Sequence, residues 1–337
     1  MSKNTYKFQP PTHPPQHIVQ STAWGKFKTE MGTAAVKVGN VQITLHKIPA
    51  LPFNIGYCPK VNPTQIDWKS LRKAGREHNC AVIRFDCPNV IKKYRRYKED
   101  WNPNPRAIKS ENILKNKCTK APRNTFAQQS VLLNLTHNRK TLLMNMKSKT
   151  RYNVRYAKRK GIYTKEESNS QGLEKFLKLQ KDTAKRQDFL IHNDKYYKTL
   201  WNYLAPKNKA HILIAYYKDD PTPLTALMFF NHKKVLYYPY GGSSNKHRNR
   251  QHSSRAMWAG IKLGQSLGCK LFDMWGATDN KKDEWWGFTR FKLGFGGTLV
   301  GFIDSYDLVL NPVIYHSFNL AYHSFWKAID LKKWLTS

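Results

Sequence analysis

The order in which strand and helix patterns recur constrains this chain most. Short alternating runs at 34–38, 41–48 and 53–57 precede a helical pattern over about 65–79 and a continuous apolar run at 81–86. Alternation argues half-buried strands, and the unbroken run argues a strand covered on both faces. The same order returns later, with strands at 211–217, 224–230 and 235–240, a helix over 252–267 stopped by Gly268, and a strand at 270–274. The closing strands rhyme, Asn79-Cys-Ala-Val-Ile-Arg-Phe-Asp86 against Gly268-Cys-Lys-Leu-Phe-Asp273. Two copies of one β-β-β-α-β unit are therefore expected, in agreement with 337 residues at about 150 per domain. Helices at 173–177 and 194–204 precede the second copy.

Charge separates the copies. The chain holds 58 Lys+Arg against 22 Asp+Glu, net +36, which predicts polyanionic partners and says nothing about fold. Residues 91–160 carry 20 Lys+Arg and 3 acids, so +17 of that excess sits in one stretch, and 88–128 reads as a long basic excursion. No run of 18 apolar residues argues for a membrane span, and the first ten residues hold no signal-peptide core. Five cysteines without C-x-x-C spacing read as reduced thiols of a cytoplasmic protein. Neither H-E-x-x-H nor G-x-x-x-x-G-K-[ST] occurs, which excludes the corresponding zinc hydrolases and P-loop NTPases.

Residues 142–160 read as one basic helix. Leu143, Met146, Thr150, Val154 and Ala157 form an apolar stripe, and Lys147, Arg151, Arg155 and Lys158 stack on a neighbouring face without interleaved acids. Like charges so stacked repel unless an anion lies against them, so phosphate binding is expected.

Met146-Lys-Ser-Lys-Thr-Arg-Tyr-Asn-Val-Arg-Tyr-Ala-Lys-Arg-Lys-Gly161 resembles the signature of the FemABX peptidyltransferases. So do Leu271-Phe-Asp-Met-Trp-Gly-Ala277, Phe291-Lys-Leu-Gly-Phe-Gly-Gly297 and the run from Asp304 through Leu310-Asn-Pro-Val-Ile-Tyr315. Gln20-Ser-Thr-Ala-Trp-Gly-Lys26 and Val82-Ile-Arg-Phe-Asp86 are shorter echoes. The resemblance implies an α/β (α+β) chain of two tandem GNAT-like acyltransferase domains, with mixed, mostly antiparallel sheets flanked by helices. Their expected bounds are 1–136 plus 304–337, and 137–303. No sustained heptad is present, which matches the short form without a coiled-coil arm.

The implied reaction moves an amino acid from aminoacyl-tRNA to the stem peptide of a peptidoglycan precursor, UDP-MurNAc-pentapeptide or lipid II, by aminolysis of an ester. It needs no ATP, metal or other cofactor. Lys292 is the expected catalytic residue, its ammonium offsetting the oxyanion. The precursor pocket is expected from Lys26, His192, Tyr196 and Tyr240, where Gly241 and Gly242 bare the backbone, together with Asp86. Asp86 and Asp273 close equivalent strands and are candidate general bases. Lys147, Arg151, Arg155, Lys158 and Arg159 are the expected tRNA contacts, as is the 92–98 cluster, with Tyr94 and Tyr97 as stacking partners for unpaired bases. The helical pattern over 312–335 is expected to dock on the first domain or to lie on an anionic membrane face, the inner face of the plasma membrane. A monomer is expected. Two rivals remain at this point. A CoA-dependent N-acetyltransferase would need a glycine-rich loop where 243–254 has no glycine, and a non-catalytic RNA-binding protein would leave the Lys292 motif unexplained.

Overall fold

A computed structural model describes residues 14–322, apart from 96, 97 and 100–104. Both copies of the repeat are present. In the first, β1 (Ala35–Val38), β2 (Val41–Lys47) and β3 (Asn54–Pro59) run antiparallel, helix α2 (Trp68–Glu77) crosses over, and β4 (Cys80–Asp86) returns parallel to β3. In the second, β10 (Ala210–Tyr217), β11 (Asp220–His232) and β12 (Val235–Ser243) are antiparallel, α8 (His252–Ser266) crosses over, and β13 (Leu271–Gly276) lies parallel to β12. Every residue of β4 is buried, as its unbroken apolar run requires.

The first sheet is extended past β4 by β15 (Tyr306–Val309) and β7 (Thr119–Lys120). The second is flanked at one end by β9 (Ile162–Glu166). At its other end it is extended by β8 (Gln129–Asn134), β14 (Thr298–Phe302), β5 (Val90–Arg95) and β6 (Lys98–Glu99). The basic excursion is therefore structure and not a loop. It pairs β5 with β14, then returns through α3 (Pro105–Lys117) to β7 on the first sheet. Strands β5 and β8, although they precede residue 137, hydrogen-bond within the second sheet.

Besides the passage through α3, three segments thus pass from sheet to sheet: 87–89, 121–128 and 303–305. They run side by side and bond to one another. Ile303 N–H donates to Asn89 O at 3.2 Å, Phe302 N–H to Gln128 O at 2.9 Å, and Ala121 N–H to Ser305 O at 2.9 Å. Alternation cannot disclose such exchanges, because an edge strand reads alike whichever sheet receives it.

Helices cover the sheets where apolar stripes face them. Leu71 and Ala74 of α2 are buried beside Ile83, and α3 adds Leu114 to that core. One face of the second sheet is covered by α8 and α5 (Ser148–Arg159). The other is covered by α1 (Thr22–Glu30), α6 (Ser170–Gln187) and α7 (Asp194–Leu204), through Phe27, Phe176, Tyr197 and Leu200. Ser21 caps α1, accepting from Trp24 N–H at 3.3 Å.

The long basic helix is two helices. Met146 and Lys147 are extended (ψ 149° and 142°) between α4 (Arg139–Asn145) and α5, so Leu142 rather than Leu143 is fully buried, while Met146, Val154 and Ala157 keep their place in the core. A helix over 312–322 rests on the first sheet, with Tyr315 OH donating to Asp307 at 3.0 Å. The expected contacts of 323–335 lie outside the described residues. Among the described residues, no helix is long and apolar enough to cross a membrane.

Candidate active site

The equivalent strand ends carry equivalent clasps. Asp86 ends β4 and accepts from Ser305 Oγ and from Tyr57 OH (2.5 Å); Asp273 on β13 accepts from Ser130 Oγ and from Trp275 N–H (2.8 Å). Each serine sits on or beside the strand that pairs antiparallel with its aspartate's strand, so the repeat extends to hydroxyl partners. Burial raises the Asp273 carboxyl above the usual carboxylate range, with Ser130, the Trp275 amide, Lys60 and Lys292 opposing. Asp86 holds β3, β4 and the approach to β15 together. Both its oxygens already accept from hydroxyls, a poor arrangement for the precursor contact expected of it.

Lys292 lies on α9 (Trp286–Leu293), 8 % exposed, and donates to the carbonyl oxygens of Trp275 (3.0 Å) and Gly276 (2.6 Å). Trp275 takes φ 57°, a left-handed conformation rare for so bulky a side chain; this departure from regular strand geometry adjoins the carbonyls that hold the lysine. Burial lowers Lys292 from 10.5 to about 8 against the attraction of Asp273. Its third N–H has no acceptor among the described residues.

Across the seam stands a lysine that the sequence pattern did not single out. Lys60, just past β3, is 4 % exposed and lies over the rings of Phe302 (3.7 Å) and Phe126 (4.6 Å). Burial lowers it to about 8 as well, opposed by Asp86 and Asp273. The rhyme of Tyr57-Cys-Pro-Lys60 with Tyr238-Pro-Tyr-Gly241 marks this strand end but sets Lys60 against a glycine, so it does not pick out the cation.

The expected precursor residues divide. Tyr196 and Tyr240 meet, OH to OH, at 3.2 Å, and His192 stacks on Tyr196 with centroids 3.7 Å apart. Burial raises both phenols and lowers His192, which the nearby Lys28 lowers further. Lys26 is exposed on α1, whereas Lys28, two residues on and half-buried, is the cation that acts on His192 and on His46 of β2. A Trp-Gly-Lys-Phe-Lys run offers both lysines, and only the helix phase chooses between them. The Gly241-Gly242 backbone is not bare. A Cβ on Gly242 would meet the carbonyl of Leu179, so that glycine admits α6, and one on Gly241 would meet Tyr238 and Leu227; neither leaves room for a ligand.

On the basic helix, Arg155, Lys158 and Arg159 are exposed along α5, and Lys147 is exposed at its start. Arg151 is turned back, donating to the carbonyl oxygens of Met144 (3.0 Å) and Met146 (3.3 Å); it caps α4 across the break. Tyr152 and Tyr156 stack at 5.6 Å, with Arg159 and Lys160 each 5.8 Å from one of their rings. Tyr94 instead packs into the core and accepts from Gln129 at 3.0 Å, and Tyr97 lies outside the described residues.

A family model, the FemAB family, matches residues 64–220 and 207–323. The chain belongs to the FemAB family. A protein named lipid II:glycine glycyltransferase, from Staphylococcus saprophyticus, is 24 % identical over 388 aligned positions, covering 90 % of each chain. Another of that name, from Staphylococcus haemolyticus, is 23 % identical with the same coverage. Alignments longer than 337 residues mean that these relatives carry insertions this FemAB chain lacks. A crystal structure of FemX superposes with TM-score 0.78 at 17 % identity, covering 90 % of this chain and 95 % of that one. The structure of L-PGS from Bacillus licheniformis superposes at 0.51 and 11 % identity, over 82 % and 83 %. The expected fold, mixed GNAT-like sheets flanked by helices, is thereby established.

Proposed function

We propose that this chain transfers an amino acid from aminoacyl-tRNA to the stem peptide of a peptidoglycan precursor, lipid II or its nucleotide-linked counterpart, as a step of bridge formation. The observation that carries the reading is Lys292: a buried ammonium, held on two carbonyls beside Asp273, with one proton left to give. In the transfer, the acceptor amine nitrogen attacks the ester carbonyl carbon, the bond to the ribose oxygen breaks, and the proton lost by the amine ends on that ribose hydroxyl. Negative charge gathers on the carbonyl oxygen only in the transition state, so an ammonium fixed there accelerates the step without tightening ground-state binding.

Lys28, His192, Tyr196 and Tyr240 form the precursor site in this reading, with Lys28 as its phosphate contact. Arg155, Lys158, Arg159 and the Tyr152–Tyr156 pair receive the tRNA. The chain acts at the inner face of the plasma membrane, where a lipid-linked acceptor would be found. Incubation with a mixture of charged tRNAs and both precursors, followed by product mass, tests it. A precursor heavier by one aminoacyl residue is expected. Unchanged mass for both precursors, with the protein folded, refutes it.

A further inference from the structure

Lys60 is the buried group that the mechanism above leaves unused. Its Nζ has no hydrogen-bond partner among the described residues, yet its side chain is almost fully enclosed. A buried ammonium without an acceptor is unfavourable unless a ligand supplies one. It lines a cavity of about 40 Å³ at the seam, with Asp273, His17, Val90, Leu132 and Phe302 among the walls. That is room for roughly three water-sized groups.

His17 adds a second donor. Its Nδ1 accepts from Val19 N–H at 3.3 Å, and burial together with Lys60 and His232 holds the ring neutral, so the proton is assigned to Nε2. That Nε2, too, is buried without a partner among the described residues, and the side chain is 5 % exposed. Asp273, which also lines the cavity, accepts its two hydrogen bonds on Oδ1, leaving Oδ2. Two donors and one carboxylate oxygen around a small cavity complement a ligand with an oxygen acceptor at one end and an ammonium at the other.

We propose that this cavity seats the transferred aminoacyl group, its carbonyl oxygen on Lys60 and His17 and its α-ammonium on Asp273. The seat rests on the function proposed above and locates its donor. Asp273, on the cavity wall, acts electrostatically on both Lys60 and Lys292, and so links the seat to the lysine of the proposed mechanism. Val90, Leu132 and Phe302 then set the upper limit on side-chain size.

Binding and transfer test it separately. Glycinamide, which carries the same ammonium and carbonyl, is titrated into the full chain while the His17 ring nitrogens are followed by NMR. A saturable shift is expected, lost in Lys60→Met; leucinamide should shift the ring only in Phe302→Ala or the milder Val90→Ala. In transfer to lipid II, the same two variants should raise the leucyl-tRNA to glycyl-tRNA rate ratio about tenfold, the scale set by fitting or excluding a few methylenes. No shift with glycinamide, or a ratio within twofold of wild type in both variants, overturns the seat. Failure of the wild type to transfer from any donor overturns the proposed function and leaves the glycinamide result to judge the cavity.

Discussion

Replacing Lys292 with Met should alter how stability depends on pH, by an amount the structure sets. Burial draws this ammonium from 10.5 to about 8, which corresponds to about 3 kcal/mol of folding free energy. Below pH 8 the lysine is charged in both states, and the folded protein bears the whole penalty. Between 8 and 10.5 the folded state releases the proton while the unfolded state holds it. The unfolded chain then binds more protons, so this group makes stability rise with pH, and the penalty is gone above 10.5. Met has no such term. It does leave the carbonyls of Trp275 and Gly276 without their donor, at about 1–3 kcal/mol each, independent of pH. Urea unfolding of both proteins at several values from pH 7 to 10 isolates the effect, because Lys60 and the buried thiols and phenols contribute alike to both. The variant should lose about 2–3 kcal/mol relative to wild type across that range. A difference constant to within about 0.5 kcal/mol would show that the ammonium is not buried as described.

Arg84→Met should lower stability by about 3–5 kcal/mol in urea, since it strands the buried Asp307 that Arg84 Nε and Nη2 reach at 2.8 and 2.7 Å; adding Asp307→Leu should recover most of the loss. Lys28→Ala should weaken UDP-MurNAc-pentapeptide binding about tenfold by calorimetry, a charge-assisted contact's worth, while Lys26→Ala changes it less than twofold. Removing Lys158 or Arg159 should each reduce the slope of log K against log salt for tRNA by about 1, whereas Arg151→Ala should leave the slope unchanged and lower thermal stability through the lost cap. Gly242→Ala should destabilise by about 1–3 kcal/mol in thermal unfolding, because its methyl meets the α6 backbone.

Periodicity disclosed the two repeats because alternation and apolar runs are local, and the paired strand ends at Asp86 and Asp273 followed from the rhyme. Phase was harder to read. Lys26 and Lys28 share one short segment, and only docking of α1 through Phe27 decides which of them turns inward. The break at Met146 escaped notice because the apolar stripe continues across it; Gly294, whose carbonyl accepts from Lys147 N–H at 2.9 Å, is distant in sequence. Lys60 was invisible for a related reason. A cation after a strand reads as an exposed turn unless the elements that cover it, here from the other repeat, are known.

The three segments that, besides α3, pass between the sheets have a consequence for how large substrates enter. Two lobes joined by one flexible link can swing apart, as clamshell binding proteins do. Here the 87–89 and 303–305 links are three residues each, bonded to one another and, at 303–305, to the 121–128 segment, so parting the lobes would break main-chain hydrogen bonds. Admission of the large substrates proposed above must instead come from movement of side chains and surface loops around a fixed frame, and the spacing between the two sheets is set when the chain folds.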